Sequence, residues 1–168
     1  TVYDRNGVQV SSFPVIHIIN GAVGYRLDYN GRSVVFSGDT RPCHPLVDAC
    51  DGADLLVHET FPSAPVFAQK AGVPLGFAEQ VVNGAHTSPT AAGRVFARAG
   101  ARMSVMWHLA VDHQVVGPAY ADMRTQYDGP VTIAQDLTTF DISAEAIVTR
   151  QSAIDPAAFV FMNTDTAM

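Results

Sequence analysis

His17, Asp39 and His108 form a hard-to-borderline ligand set, two imidazoles and one carboxylate, of the kind that suits zinc, iron or manganese. Their spacing is far too wide for a local motif, so only the fold can make one site of them. Glu59 and His86 are a second pair. A glutamate beside a histidine can hold the imidazole in one tautomer, and that imidazole can then give a proton to a leaving oxygen. Plainer readings stand beside these: His17 as a core histidine bonded to backbone, and Glu59 as an acid facing water. His58 is expected to point away from Glu59, because strand neighbours face opposite sides, and to be satisfied in the core. His44, at a polar helix start, reads as surface.

The elements that must position these groups share a pattern. Val34-Val35-Phe36-Ser37 is a buried-strand run that stops at Gly38-Asp39. Asp54 to Val57 leads into His58-Glu59, Met103 to Trp107 into His108, and Phe13 to Ile16 into His17. Apolar runs that each end on an Asp, Glu or His predict one site on one rim of a sheet, where open α/β folds place their chemistry.

Around these, Asn6-Gly7 predicts a hairpin within Val2 to Val10, and Val15 to Ile19 reads as a continuous apolar run. Asn20-Gly21 turns the chain, and Asn30-Gly31 closes a hairpin between strands Gly24 to Tyr29 and Arg32 to Ser37. Helices are expected over Pro42 to Asp51, Ala64 to Ala71 and Pro118 to Tyr127, while Leu75 to Gly84 fits either a helix or a lid. The clearest helix has Ser88 as N-cap, Pro89 at its first position and Gly100 as its stop. His86 just precedes that N-terminus, whose partial positive charge disfavours a protonated imidazole and suits an anion. A loop from Leu109 to Gly117 carries Asp112 and His113, strands Val131 to Ala134 and Thr138 to Ile142 finish the core, and the chain from Ser152 reads as a tail.

The 168 residues are 48% apolar and 15% charged, which describes one globular domain with a sizeable core. A net charge of -6 without any Lys/Arg-rich stretch argues against a nonspecific polyanion binder. Cys43 and Cys50 fall on one helix, about 10 Å apart and too far for a disulfide. No apolar run approaches the roughly 20 residues of a membrane helix. The chain opens at Thr1 inside a strand, which predicts that an N-terminal part has been removed or that this is a piece of something longer.

Ser37-Gly38-Asp39-Thr40-Arg41-Pro42, Val57-His58-Glu59-Thr60, His86-Thr87-Ser88 and Trp107-His108-Leu109, in that order, resemble the motifs of the metallo-β-lactamase superfamily, and within it ribonuclease Z and its close relatives. Phe13-Pro14-Val15-Ile16-His17 followed by Gly24-Tyr25-Arg26 resembles the segment holding that family's third metal motif. The resemblance implies an α/β fold, the C-terminal half of an αββα (α+β) sandwich over residues 1–150, with 151–168 as a tail. It implies that His17 binds a first metal, Asp39 bridges both and His108 binds the second. Zinc is the usual occupant, two per complete site, with manganese or iron as alternatives. The metals would share a hydroxide that attacks a phosphorus, sulfur or carbonyl centre. Glu59 and His86 match the family's pair that assists proton transfer to the leaving group, and His113 is at most a substrate contact.

Two departures qualify this. The family's His-x-His-x-Asp-His run is nowhere in the sequence, so a dinuclear centre needs an N-terminal half or a second chain. Leu27 to Arg32 form a tight hairpin where ribonuclease Z commonly inserts a long tRNA-gripping arm, which with the acidic balance argues against tRNA 3′ processing. The expected function is metal-dependent hydrolysis of a phosphodiester or similar ester, on a small-molecule or phosphodiester substrate. One alternative is an arylsulfatase-like or small-ester hydrolase on the same scaffold. Another is a noncatalytic half-domain that binds at most one metal and needs a partner chain. A half sandwich exposes the apolar face that meets the other half, which predicts an obligate partner or a homodimer. The compartment is open, with the cytoplasm favoured and no membrane role expected.

Overall fold

Asn6-Gly7 and Asn30-Gly31 adopt the left-handed conformations of two-residue hairpin turns, with φ of 56°, 77°, 48° and 69° in chain order. They help fold the first part of the chain into an antiparallel meander, β1 (Tyr3–Arg5), β2 (Val8–Pro14), β3 (Val23–Tyr29) and β4 (Arg32–Phe36). The computed structural model describes residues 1–109 and 113–152. The expected tail from 153 onward and the side chains of Asp112 and His113 lie outside the described residues.

From β4 the pairing becomes parallel. β5 (Leu55–Glu59), β6 (Met103–Trp107) and β7 (Val131–Ile133) complete a sheet ordered β1-β2-β3-β4-β5-β6-β7. Parallel neighbours need crossovers, supplied by α1 (His44–Ala49), α2 (Ala64–Ala71), α3 (Leu75–Ala85), α4 (Pro89–Ala99) and α5 (His113–Arg124). The ends of β4, β5 and β6 therefore share one rim. Leu75 to Gly84 is helical, and Cys43 and Cys50 cap the two ends of α1 as free, buried thiols.

Period-two alternation sorts the sheet faces. Val35, Leu56 and Met106 point to the helix side and are fully buried with Leu46, Phe96 and Met123. The opposite face is covered only in part. β8 (Thr138–Ile142) pairs with β9 (Ile147–Gln151) in a separate hairpin. Its Phe140 and Ile142 line a cleft with Leu27, Tyr29 and Val34. Nearer the rim, Val23, Tyr25, Phe36 and Trp107 remain exposed.

Three expectations are corrected here. Val15 to Ile19 does not continue as a strand: β2 stops at Pro14, and Ile16 peels away to bridge Arg41, leaving Ile18 and Ile19 in solvent. Ile16 N–H donates to Thr40 Oγ1, and Arg41 N–H to Ile16 O, so the loop after Asp39 captures this segment. Helix α5 spans His113–Arg124 with Pro118 inside it, where the sequence placed that proline at the helix start. Thr138 to Ile142 does not finish the main sheet but pairs with β9, a strand not expected from the sequence.

Two stability predictions arise from this packing. A Cβ on Gly93 of α4 would overlap the Met123 carbonyl oxygen of α5. Gly93→Ala is therefore expected to lower stability by about 1–3 kcal/mol in chemical denaturation, despite alanine's better helix propensity. His58 is fully buried on the helix side, its Nδ1–H donated to the Glu59 carbonyl and its Nε2 without a partner among the described residues. It is thus core, as expected, but only half satisfied.

Burial pulls the His58 pKa from 6.5 down to about 4, against the Glu59 hydrogen bond. Between those values the unfolded chain takes up a proton that the folded chain refuses. The His58 contribution to stability is accordingly full above pH 6.5 and is lost on acidification toward pH 4, by about 1.4 kcal/mol per unit, while the raised pKa of the Glu59 carboxyl works in the opposite direction. The difference in urea midpoint between wild type and His58→Gln should change across that window, and a constant difference would assign the acid sensitivity elsewhere.

Candidate active site

Asp39 owes its position to Gly38. That glycine has φ 62°, and a Cβ there would sit 2.9 Å from the Val23 carbonyl oxygen, so the turn off β4 is open to glycine alone. His108 follows β6 directly and also holds a left-handed φ, 64°, uncommon for a residue with a side chain. Its Nε2 lies 3.8 Å from Asp39 Oδ2, and both side chains are a little over one-third exposed, at 36% and 38%. The third group on this rim is His86, which ends α3 and precedes the Ser88 cap of α4.

Each of Asp39, His86 and His108 offers a donor atom, and these atoms lie within 4.8 Å of one another. His17 is beside this group and not in it. Its Nδ1 is 2.9 Å from the Ala85 carbonyl oxygen, and its ring meets His86 edge-on with centroids 5.2 Å apart. An Nδ1–H donated to that carbonyl leaves the His17 Nε2 as the available lone pair. The fold thus brings His17, Asp39, His86 and His108 to one rim, with the last three at ligand spacing. His44 is exposed on α1, away from them.

Glu59 ends β5 and is fully buried, which overturns the reading of an acid facing water. Its Oε1 accepts Thr40 N–H at 2.7 Å, and the Thr87 N–H also binds the carboxyl. The Glu59 N–H donates to Ser37 Oγ at 2.9 Å, and Thr87 Oγ1 donates to Thr40 O at 2.7 Å. Burial pushes the Glu59 pKa up to about 8, with the Asp39 charge adding to it and the two backbone donors opposing. His86 Nδ1 is 3.2 Å from both Glu59 oxygens. Burial, followed by the His108 charge, holds the His86 pKa below the ordinary histidine range. Burial thus disfavours the charged form of both members of a carboxyl–imidazole pair 3.2 Å apart.

Sequence reasoning missed the frame of this pair, namely Ser37, Thr40, Thr87 and Phe61. Hydroxyl and aromatic residues within two or three positions of Asp39, Glu59 and His86 were the available signal. Phe61 stacks on the His86 ring with centroids 4.3 Å apart and planes 12° from parallel.

A mixed sheet with helices on one face, an open opposite face and acid and imidazole groups on the parallel-strand rim matches one half of a metallo-β-lactamase sandwich. The metallo-beta-lactamase fold protein YhfI from Bacillus subtilis superposes with a TM-score of 0.61 at 20% identity, over 79% of this chain and 49% of that one. Zn(2+)-bound PqqB from Methylobacterium extorquens superposes with a TM-score of 0.54 at 16% identity, over 87% and 47%. Among curated proteins, the chain is 38% identical over 113 residues to Ribonuclease Z of Myxococcus xanthus, covering 67% of this chain and 33% of that protein. It is 36% identical over 147 residues to Ribonuclease Z of Mycobacterium avium, covering 85% and 50%. The chain is a ribonuclease Z-like member of the metallo-β-lactamase superfamily. It spans between a third and half the length of these two relatives. No protein-family model matches it.

Proposed function

We propose that this chain carries the catalytic rim of a metal-dependent hydrolase acting on a phosphodiester. The observation behind this is the convergence of Asp39, His86 and His108 within 4.8 Å beside the buried Glu59 carboxyl. One carboxylate and neutral imidazoles are a donor set that fits zinc, the ion named for the PqqB neighbour, and manganese or iron would also be accepted. Asp39, His108 and the Nε2 of His17 would hold metal, which when bound supplies Lewis acidity and a nucleophilic water at neutral pH. The relatives' name supports phosphodiester cleavage as the reaction. The tight Asn30-Gly31 turn between β3 and β4 favours a substrate recognised without a long inserted arm there.

Glu59 and His86 are proposed to move the proton. The Glu59 carboxyl, fixed by the Thr40 and Thr87 amides, orients His86 through Nδ1 and directs Nε2 toward the rim, from which it can protonate a leaving oxygen. A second reading makes His86 a ligand, favoured by its place in the donor group. His86→Ala separates the two when metal content and turnover of bis(p-nitrophenyl) phosphate are measured on one preparation. Proton transfer predicts turnover reduced by about 10²–10⁴-fold with metal nearly intact. Loss of metal makes His86 a ligand, and unchanged turnover removes it from the chemistry.

The exposed rim-side patch of Val23, Tyr25, Phe36 and Trp107, 38–43% accessible, is proposed to face the second sheet of the sandwich. That sheet, from the same protein or a second copy, would bring the ligands that complete a two-metal site.

A further inference from the structure

The His86 ring is held through its edge by Glu59 and across its face by Phe61. The Phe61 ring is stacked on the imidazole, with centroids 4.3 Å apart and planes 12° from parallel. Phe67 of α2 meets Phe61 edge-on at 5.1 Å, and the His108 ring is tilted against it at 5.9 Å. The backbone on either side is pinned as well: Thr60 N–H donates to Trp107 O at 2.8 Å and Phe61 N–H to Thr87 O at 2.9 Å. Phe61 is thus a half-buried wall tied by hydrogen bonds to the segments that deliver His86 and His108.

This contact answers a geometric need. The Glu59 carboxyl, with both oxygens 3.2 Å from Nδ1, fixes the ring's direction but permits rotation about the line joining them. A flat aromatic surface against the imidazole removes that rotation. We propose that Phe61 is a positioning residue for His86, setting the plane of its ring so that Nε2 faces the Asp39 and His108 side while Nδ1 stays on Glu59. The inference rests on the proton-transfer reading of His86 for its consequence in turnover, and on the stacking alone for its consequence in ring orientation.

The two are tested separately with Phe61→Leu and Phe61→Tyr in the full chain. In nuclear magnetic resonance spectra of selectively labelled histidine, the His86 ring protons should carry an upfield ring-current shift in the wild type and in Phe61→Tyr. That shift should disappear in Phe61→Leu, with the His58 signals unchanged as a control on folding. With bis(p-nitrophenyl) phosphate, kcat should fall about 10–100-fold in Phe61→Leu at nearly constant KM, the scale seen when a supporting contact is removed, and recover in Phe61→Tyr. His86 ring shifts identical in wild type and Phe61→Leu would overturn the positioning role whatever the activity. The leucine variant retaining full kcat would overturn its catalytic consequence. Lost turnover in His86→Ala with metal retained would support the proton-transfer reading, and the ring-current signature of the wild type would support the stacking on which the positioning reading rests. A wild type without turnover even when the second sheet that completes the site is supplied would sink the proposed hydrolase and leave the ring-orientation inference to stand on the signature alone.

Discussion

Asp39→Ala is expected to remove bound metal and turnover together while leaving the fold nearly as stable as before. Asp39 is the one carboxylate in the donor group, so its loss leaves neutral imidazoles to hold a dication. Turnover should drop by at least about 10²–10³-fold, the scale of losing a single well-placed electrostatic contact. Stability should hardly respond, because the side chain is 38% exposed and its pairing with His108 at 3.8 Å is worth little in solvent. Asp39→Asn keeps the shape and removes the charge, and should lose metal almost as completely. Elemental analysis and thermal melts on the same samples check both halves. Metal and activity at wild-type levels in Asp39→Ala would end the assignment of this rim as the active site.

The parts of the fold legible in the sequence were those written in local chemistry. Asn-Gly pairs at 6–7 and 30–31 specify hairpin turns through their left-handed backbone, and Ser88, Pro89 and Gly100 bound α4 as caps do. Asp39, Glu59 and His108 could be placed on one rim because each directly follows a run of strand-forming residues. Val15 to Ile19 misled because its composition is that of a buried strand, whereas its path is decided by Thr40 and Arg41, more than twenty positions away. No local signal encodes such a capture. Pro118 misled in the other direction: a proline is a good first helical residue, but here the helix had already begun at His113. The burial of Glu59 and the stacking of Phe61 depend on three segments meeting, so their residue types were visible and their relation was not.

Phe96→Ala is expected to have the largest effect on stability, about 3–5 kcal/mol. Phe96 is fully buried on α4, and its ring meets His58 of β5 edge-on at 5.9 Å and Tyr127 at 5.7 Å. Truncation removes these contacts and opens a cavity beside an imidazole whose Nε2 is already unpartnered. Against a typical domain stability of about 5–15 kcal/mol, that is a substantial share. The cavity also changes the acid response. Water reaching Nε2 would relieve the desolvation that holds the His58 pKa near 4, so the loss of stability that His58 contributes below pH 6.5 should become shallower in the variant. Denaturation at neutral and at mildly acidic pH would show a large gap between variant and wild type that narrows on acidification. A gap that stays constant would mean that the cavity remains dry and that His58 titrates as before. Phe96→Leu, which refills much of the volume, should recover most of the stability and keep the wild-type acid slope. The contrast with Asp39→Ala sets the helix-facing side of the sheet, where Phe96 and His58 are packed, against the rim proposed for the chemistry, and the alternation of a single β-strand turns the adjacent His58 and Glu59 to opposite sides.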